Sequence, residues 1–426
     1  MTQVAARYGY SDASVARVVD QAGVSRATFY EHFAGKEACF LAAFERAAQG
    51  IELALARVDA DVAPARRAPQ LLDDLLASVV SGPAAARLLL VEAFAGGAEV
   101  RLAHERLARS VETTLERWLR QADEDGLHLA ITGRALMEGL AGILARRSFR
   151  GETARVADLR DDLLAWIDSH LMPPGHPRRT PAGWRRLGAG LVGAPRAQPR
   201  PAASPRRLPR GRGAVAPEAV AGEYRERILE AVKQLTRTKG YVAMTVADIV
   251  STAAVTREAF YELFRSKEDA FLAAQVAGLE SSISVAAAGF FAGETWETRV
   301  WDGLEALFGY SALEPDFVYL DVLEGYAAGS AAIRRSFDNR IAYHLFLEDG
   351  YRQNPTAERL PRLSSEAVGG AILGLMRCQV SEGRTERMLE ALPQSVYLAL
   401  APFIGPVAAI ELVEAKAVAE DGASTA

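Results

Sequence analysis

An internal repeat limits the fold of this chain more than any other feature of its sequence. Residues from Gly9 onward align without gaps to residues from Gly240 onward. The segment VSRATFYEHFAGKEACFLAA (24–43) corresponds to VTREAFYELFRSKEDAFLAA (255–274), and about half of the positions from Gly9 to Ala43 are identical to their counterparts. A repeat of this length indicates that one kind of folding unit occurs twice.

Weaker matches extend the repeat at an offset one residue greater. They pair Glu92, Gly97, Ala135, Gly142 and Gly151 with Glu324, Gly329, Ala367, Gly374 and Gly383. We call residues 1–171 the first unit and residues 223–413 the second unit. Each is predicted to hold an N-terminal module and a longer bundle, with a linker between the units and a tail after them. The predicted boundaries are 1–50, 51–171, 172–222, 223–278, 279–413 and 414–426.

Composition excludes several classes of protein. A chain of 426 residues with net charge −5 fits two or three domains, and any positive charge that meets nucleic acid must be local. No apolar run approaches the roughly 20 residues that cross a bilayer, and the N-terminal sequence MTQV does not begin a signal peptide. We therefore expect a cytoplasmic location and no membrane partner.

Cysteine and histidine usage gives no sign of a disulfide framework or a metal site. Cys39 and Cys378 lie in different units, and the six histidines show no metal-ligand spacing. No catalytic triad, phosphate-binding glycine loop or credible carboxylate pair is present either. We expect no metal and no cofactor, and we do not expect an enzyme.

The predicted linker, residues 172–222, differs in composition from both units. It is rich in Pro, Arg, Ala and Gly, with ten arginines and a single acid, Glu218. Such a segment buries too little apolar surface to offset the entropy of ordering, so we predict a flexible, basic arm. It is either a solvated tether or an additional contact for nucleic acid. The tail after Glu414 is rich in Ala and acids and is expected to fray.

The apolar residues of the units recur at helical spacing, and no segment shows sustained strand alternation. In the first unit Ser14 is placed to cap a helix that runs to about Ala22, and Gly23 permits the left-handed backbone that ends it. Ser25 then caps a second short helix, Arg26 to about Phe33. Two short helices joined by a tight turn form a helix-turn-helix in an all-α fold.

The second helix of this motif has an inner and an outer face. Phe29 and Phe33, four residues apart, are expected to face the core. The outer face carries Arg26, Ala27, Thr28, Tyr30 and His32. A third helix starts at Lys36 and is predicted to reach about Ile51, and its N-terminal amides and Lys36 suit a phosphate.

The second unit repeats the motif after a full preceding helix, Glu223–Lys239. Thr245 and Thr256 replace the serine caps, and Phe260 and Phe264 are expected in the core. The outward positions are Arg257, Glu258 and Tyr261, with Lys267 at the next helix. Ala254 stands in place of Gly23, at a cost of roughly 1 kcal/mol if the backbone is left-handed there.

The pattern G-Y…[ST]-V…A-G-V-[ST]…F-Y-x-x-F-x-x-K-E resembles the DNA-binding module of the tetracycline-repressor (TetR) family, and it occurs here twice. The remainder of each unit resembles the helical ligand-binding and dimerisation domain of that family. The resemblance implies a DNA-binding transcription regulator, a repressor mode with release by a small-molecule effector, and phosphate contacts by Tyr30 and Tyr261.

The residues expected to contact DNA come from both copies of the module. They are Ser14, Ser25, Arg26, Ala27, Thr28, Tyr30, His32 and Lys36 in the first, and Thr245, Thr256, Arg257, Glu258, Tyr261 and Lys267 in the second. Arginine beside a major groove reads bases or anchors the helix, whereas Lys36 and Lys267 are expected to grip phosphates. Because Glu258 is unfavourable near phosphates, the second module is expected to be weaker or differently specific. The alternative function is a helical interaction protein in which one or both modules are degenerate.

The bundles offer few candidates for an effector site. Glu92 in ARLLLVEAFAGG matches Glu324 in FVYLDVLEGYAAG, and an acid among apolar residues either lines a pocket or satisfies a helix end. The aromatic candidates are Phe94, Tyr319 and Tyr326, which either stack on an effector or belong to the core. The identity of the effector is not encoded in any recognisable motif.

The expected partners are a double-stranded DNA operator, an effector, and the other unit of the same chain. A flexible linker of about 45–50 residues spans roughly 35–40 Å, close to the 34–36 Å between adjacent major grooves on one DNA face. We therefore predict an intramolecular pseudo-dimer, with a homodimer of chains as the alternative arrangement.

Overall fold

A computed structural model describes residues 1–124, 128–173, 176, 179–192, 217–354, 357 and 360–425. The predicted all-α fold is confirmed, because these residues are overwhelmingly helical. The exceptions include two short strands, β1 (His128–Leu129) and β2 (Leu171–Met172), which pair antiparallel. The aligned partners are His128 with Met172 and Leu129 with Leu171.

The first unit begins with a short helix and the helix-turn-helix, and its bundle follows. Its helices are α1 (Thr2–Tyr8), α2 (Val15–Ala22), α3 (Arg26–His32), α4 (Lys36–Asp61), α5 (Pro64–Ser81), α6 (Pro83–Leu90), α7 (Ala98–Glu124), α8 (Gly133–Arg150) and α9 (Arg160–Asp168). Two 3-10 turns, Glu92–Ala95 and Thr153–Leu159, follow α6 and α8.

The second unit repeats this order. Its helices are α11 (Pro217–Lys239), α12 (Val246–Ala253), α13 (Arg257–Leu263), α14 (Lys267–Ala292), α15 (Trp296–Leu313), α16 (Pro315–Val322), α17 (Ser330–Gln353), α18 (Leu363–Ser381) and α19 (Leu392–Ile404). A 3-10 turn, Thr385–Ala391, precedes α19. The first helix differs most between the units, with 7 residues in α1 and 23 in α11.

The helix after each helix-turn-helix is longer than the sequence suggests. α4 runs to Asp61, ten residues beyond the expected end near Ile51, and α14 likewise crosses position 278. Gly50 lies within α4 and does not end it, because helical backbone is accessible to glycine at a cost of only about 1 kcal/mol. Each long helix therefore extends from its module into its bundle.

Part of the predicted linker is helical. α10 (Pro181–Ala189) starts at a Thr180 cap and buries Trp184 against the second unit. At Gly188 a Cβ atom would come within 2.3 Å of the Glu390 carbonyl oxygen, so the helix lies directly on that backbone. The prediction of a flexible arm throughout 172–222 is therefore wrong for α10. Burial of its apolar face stabilises the helix despite the Pro- and Arg-rich composition. Positions 193–216, with most of the predicted basic arm, lie outside the described residues.

The predicted tail is also helical. α20 (Pro406–Thr425) continues through the segment that was expected to fray after Glu414. Val413 and Ala417, four residues apart, are buried on one face of this helix. Alanine and glutamate are good helix formers, so the composition that suggested disorder supports a helix once one face is covered.

The two bundles meet along α8 and α18, which cross closely because small residues face each other. A Cβ atom at Gly142 would lie 3.1 Å from the Gly370 Cα, and one at Gly374 would lie 2.3 Å from side-chain atoms of Glu138. α9 also contacts α18. One hydrophobic cluster includes buried residues of both units, among them Ile143 and Val368.

Among the described residues, one helix, α14, is long and apolar enough by composition to cross a membrane, with a mean hydropathy of 1.4 over its most apolar 18 residues. It packs against α11 and α15. Phe271, Leu279 and Phe290 are buried there, and this core position accounts for its apolar composition.

The turns of the two helix-turn-helix motifs have the same backbone conformation but different residues. Gly23 has φ 66° and Ala254 has φ 51°, both left-handed. No heavy atom lies within 4 Å of a Cβ built on Gly23, so a side chain there meets no steric obstacle. The difference between the turns is therefore the backbone strain that a Cβ adds at positive φ.

We expect Gly23→Ala to lower the free energy of unfolding by about 1 kcal/mol and Ala254→Gly to raise it by about 0.5–1 kcal/mol. The entropy that glycine adds to the unfolded chain opposes the strain in both substitutions, so neither change should much exceed 1 kcal/mol. Urea denaturation of each variant against the parent chain measures both changes. Equal signs for the two substitutions would contradict the strain argument.

Candidate nucleic-acid interface

Side-chain caps fix the start of each short helix in the two motifs. Ser14 Oγ accepts from Arg17 N at 3.3 Å and Ser25 Oγ accepts from Thr28 N at 3.0 Å. Thr256 Oγ1 accepts from Ala259 N at 3.2 Å. The Thr245 cap is reinforced because the Asp248 carboxylate accepts from the Thr245 N–H in return. The hydroxyl of each cap residue therefore already accepts a hydrogen bond from a backbone amide at its helix N-terminus.

The second helix of each motif, α3 or α13, buries one face and exposes the other, as predicted. Phe29 and Phe260 are 4% and 0% exposed, whereas Tyr30 and Tyr261 are 57% and 47% exposed. In both copies the outer tyrosine meets the inner phenylalanine edge to face, with ring centroids 5.3 and 5.4 Å apart. The inner ring thus supports the outer one in a fixed position.

The outer faces carry most of the residues expected to contact DNA. Arg26, Ala27 and His32 are exposed on α3, and Thr28 is half-buried with its hydroxyl 2.9 Å from Ser25 Oγ. On α13, Arg257 and Glu258 are exposed. The Arg257 guanidinium lies 5.7 Å from the centroid of the Tyr261 ring, which restrains it over that ring.

The two lysines expected to grip phosphates have protein partners in this structure. Lys36 Nζ donates to the Tyr10 carbonyl at 3.1 Å and lies 4.3 Å from the Tyr10 ring centroid. Lys267 Nζ donates to the carbonyls of Tyr241 and Met244, each at 2.9 Å. Burial lowers the pKa of both lysines. Their ammonium groups hold the loop between the first two helices of each module.

Two buried acids tie the modules to their bundles. Glu92 Oε2 accepts from the Tyr10 N–H at 2.8 Å, and Glu324 Oε2 accepts from the Tyr241 N–H at 3.0 Å. The two acids are 1% and 2% exposed. Burial raises the pKa of Glu92, against the opposing effects of the Tyr10 N–H and Arg87. Each carboxylate therefore couples the end of a bundle helix to the loop between the first two helices of a module.

The arginine that pairs with each acid comes from the same unit for Glu92 and from the other unit for Glu324. Arg87 Nε of the first unit lies 2.9 Å from Glu92 Oε1. The residue equivalent to Arg87 in the second unit is Tyr319, and Glu324 instead pairs with Arg101 of the first unit, with Nη1 3.1 Å from Oε1. Ser11 Oγ of the first unit also donates to the Ala327 carbonyl at 3.0 Å. Arg101 of the first unit thus pairs with the acid that holds the second module, and Ser11 ties the first module to the second bundle.

Each bundle contains a cavity. The cavity of the first bundle measures about 320 Å³, and that of the second about 130 Å³. Side chains from both units line the larger cavity, including Phe94, His104, Glu138, Tyr326, Leu373 and Arg377. Among the candidates for effector contact, Phe94 and Tyr326 lie in this lining, whereas Glu92, Glu324 and Tyr319 lie outside the linings of both cavities.

A group of charged residues at the larger cavity was not found from the sequence. Arg377 Nη1 donates to Glu138 Oε2 at 3.0 Å, and Arg134 Nε lies 3.2 Å from Glu138 Oε1. Burial lowers the pKa of the nearby His104 to about 4, so its ring is neutral near pH 7. The repeat holds a clue, since Glu138 aligns with Gly370 and Arg377 with Ala145. An alignment alone does not show that these unlike positions face each other.

Several solved structures match a part of the chain about as long as one unit. The fatty acid degradation regulator FadR from Bacillus halodurans is 15% identical over 44% of this chain and 97% of its own, with a TM-score of 0.38. A TetR family regulator from Marinobacter aquaeolei gives 17% identity, 41% and 93% coverage and a TM-score of 0.35. The TetR family regulator PfmR from Thermus thermophilus gives 20% identity, 41% and 95% coverage and a TM-score of 0.34. No curated protein sequence matches the chain.

The profile of the family described as "Bacterial regulatory proteins, tetR family" matches the chain twice, at residues 2–43 and 228–274. Both matches contain the complete helix-turn-helix with its caps, turn and outward tyrosine. The chain therefore carries two DNA-binding domains of the TetR family in tandem, which identify it as a DNA-binding transcription regulator rather than an enzyme.

Proposed function

We propose that one chain is a complete two-headed repressor, in which the two units pair with each other, read one operator with unlike half-sites and release it when a small-molecule effector binds. We call α1–α3 with the first turn of α4 the first reader, and α11–α13 with the first turn of α14 the second reader. The observation that carries the proposal is the charge complementarity between α8 and α18.

Ion pairs at this contact join positions of the repeat that carry different residues in the two units. Glu366 of α18 lies between Arg146 and Arg147 of α8, at 3.0 and 3.3 Å. Glu138 of α8 pairs with Arg377 of α18. All five side chains are largely buried, so the loss of one partner would leave a charge that water only partly compensates.

Pairing between identical units would lose this complementarity. Glu366 aligns with Arg134, so two first units would place Arg134 of one copy beside Arg146 and Arg147 of the other. Two second units would place Arg377 opposite Gly370, which offers no carboxylate. Like charges and unpaired charges at a contact disfavour those pairings, and so favour pairing of unlike units.

The outer faces of the readers favour unlike half-sites. The first reader presents Ser25-Arg26-Ala27-Thr28, and the second presents Thr256-Arg257-Glu258-Ala259. Arginine pairs well with guanine, whereas a carboxylate such as Glu258 suits a cytosine amino group. The operator is therefore expected to depart from a true palindrome. A DNA target on the chromosome also supports a cytoplasmic location.

Release by an effector is supported by the cavities and by the ties between bundle and reader. The larger cavity is of the size that accepts a small drug-like molecule. Phe94 lines it two residues after Glu92, which holds the first reader. A ligand that moves this segment changes the position of the reader, and linkage requires that DNA weaken the binding of the ligand by the same factor.

We expect Arg26→Ala to relax base preference in one half-site only, and Arg257→Ala to relax it in the other. Each loss should amount to about 1–3 kcal/mol at the base pair that the arginine reads. Selection of bound sequences from a random DNA pool measures the change for each variant. A perfectly palindromic preferred site, or unchanged preferences in both variants, would contradict unlike half-sites.

Tyr30→Phe provides the matched control, because it removes a hydroxyl that is expected to contact phosphate. It should weaken all sequences about equally, by roughly 1 kcal/mol, and leave base preference unchanged. Fluorescence anisotropy with the selected operator and a scrambled DNA of equal length measures both affinities. A loss of affinity that depends on the DNA sequence would indicate that Tyr30 contacts bases and not phosphate.

We expect Glu366→Arg to destabilise the chain by about 3 kcal/mol, because it places three arginines together at the α8–α18 contact. Adding Arg146→Glu and Arg147→Glu should restore much of the loss, which urea denaturation measures as a coupling energy. Glu386→Arg, an exposed substitution on the same unit, is the control and should change little.

The mass of the particle in solution tests the pairing independently. A single chain has a mass of 45.9 kDa, and a dimer of chains has twice this, about 92 kDa. Light scattering at low concentration should give the value for one chain. A stable particle near 92 kDa would overturn intramolecular pairing and favour the homodimer.

A further inference from the structure

The cavity of the first bundle is built by both units. Phe94 and Tyr326 occupy equivalent positions in the repeat, and their rings meet with centroids 5.2 Å apart. Arg377 of the second unit lies over the Phe94 ring at 4.5 Å. Contact between equivalent residues places the cavity wall at the pseudo-two-fold axis, where one ligand touches both units.

The two rings belong to the segments that hold the two readers. Phe94 follows Glu92 by two residues, and Tyr326 follows Glu324 by two residues. The acids accept from the amides of Tyr10 and Tyr241, directly after the left-handed Gly9 and Gly240. A ligand that displaces either ring therefore pulls on the carboxylate that fixes a reader.

A second connection links the same cavity to the second reader. α7 lines the cavity with His104, Leu107 and Val111, and carries Arg101 one turn before His104. Arg101 pairs with Glu324 across the unit boundary. The residue equivalent to Arg101 in the second unit is Ile333, which bears no charge. The first bundle is thus connected to both readers. The second unit supplies no equivalent arginine to Glu92, which holds the first reader.

The size and charge of the cavities indicate the ligand. At about 320 Å³ the shared cavity accepts a small drug-like molecule, whereas about 130 Å³ in the second bundle is below the usual range for such ligands. The lining is mainly aliphatic. Arg377 and Glu138 neutralise each other and His104 is neutral, so the site offers no net charge to an ionic ligand.

We propose that one uncharged, mainly apolar molecule per chain binds in this shared cavity and sets the positions of both readers, the second through Arg101 and Glu324. This inference rests on the proposed release by an effector and specifies its stoichiometry, ligand class and route. Two equivalent effector sites, one for each reader, are the opposing arrangement.

N-phenyl-1-naphthylamine, an uncharged aromatic whose fluorescence increases in apolar sites, is a suitable probe. Titration of the full chain should end at one probe per chain. Leu107→Trp fills the shared cavity and should abolish binding, whereas Leu304→Trp, in the smaller cavity, should leave it intact. Circular dichroism checks the fold, and Leu107→Phe replaces Leu107→Trp if that variant does not fold. Two probes per chain, or binding lost only in Leu304→Trp, would overturn the proposal.

Hydrogen exchange of the amides of Tyr10 and Tyr241 measures the coupling without DNA. One equivalent of probe should change exchange at both amides in the parent chain. In Arg101→Ala the response at Tyr241 should be reduced while that at Tyr10 remains. Arg106→Ala, on the same helix and paired only distantly with Glu45 at 3.9 Å, is the matched control and should keep both responses.

The failure of this inference is distinguishable from failure of the proposed function. A response at Tyr10 alone in the parent chain, or an unchanged Tyr241 response in Arg101→Ala, would overturn control of both readers by one cavity. Operator binding without probe would be unaffected by either result. A chain that shows both exchange responses but binds no operator would instead refute the repressor function.

Discussion

The close contact of α8 with α18 is the constraint on which the arrangement of the two units depends. Gly142, Gly370 and Gly374 leave room for the helices to approach and for Glu138 to lie between them. Because the carboxylate is buried there, it requires the guanidinium of Arg377. Van der Waals contact and charge pairing thus act at one place, and residues of both helices also line the shared cavity.

The readers were largely predictable because local interactions determine them. Ser14, Ser25 and Thr256 accept from amides three residues later, and Gly23 and Ala254 adopt the left-handed backbone expected from their place in the turn. Such caps and turns depend on residues that are close in sequence, so a short stretch of sequence is enough to predict them. The inward and outward faces of α3 and α13 follow from the same helical periodicity.

The ties between readers and bundles were not predictable in this way. Glu92 and Tyr10 are 82 residues apart, and Arg101 and Glu324 belong to different units. The sequence showed an acid among apolar residues, which fits a pocket or a helix end equally well. Composition was also misleading for α10 and α20, because proline, arginine and acid content does not reveal that one helical face is covered by a distant part of the chain.

The opposite charges at equivalent positions 134 and 366 have an evolutionary consequence. In a dimer of identical chains a single codon change alters both halves at once, so the two halves of the recognised site must drift together. Here each codon belongs to one half alone. Under the proposed pairing of the two units, an operator that loses its symmetry by mutation can therefore be followed by substitutions in one half of the regulator, while the other half keeps its original recognition.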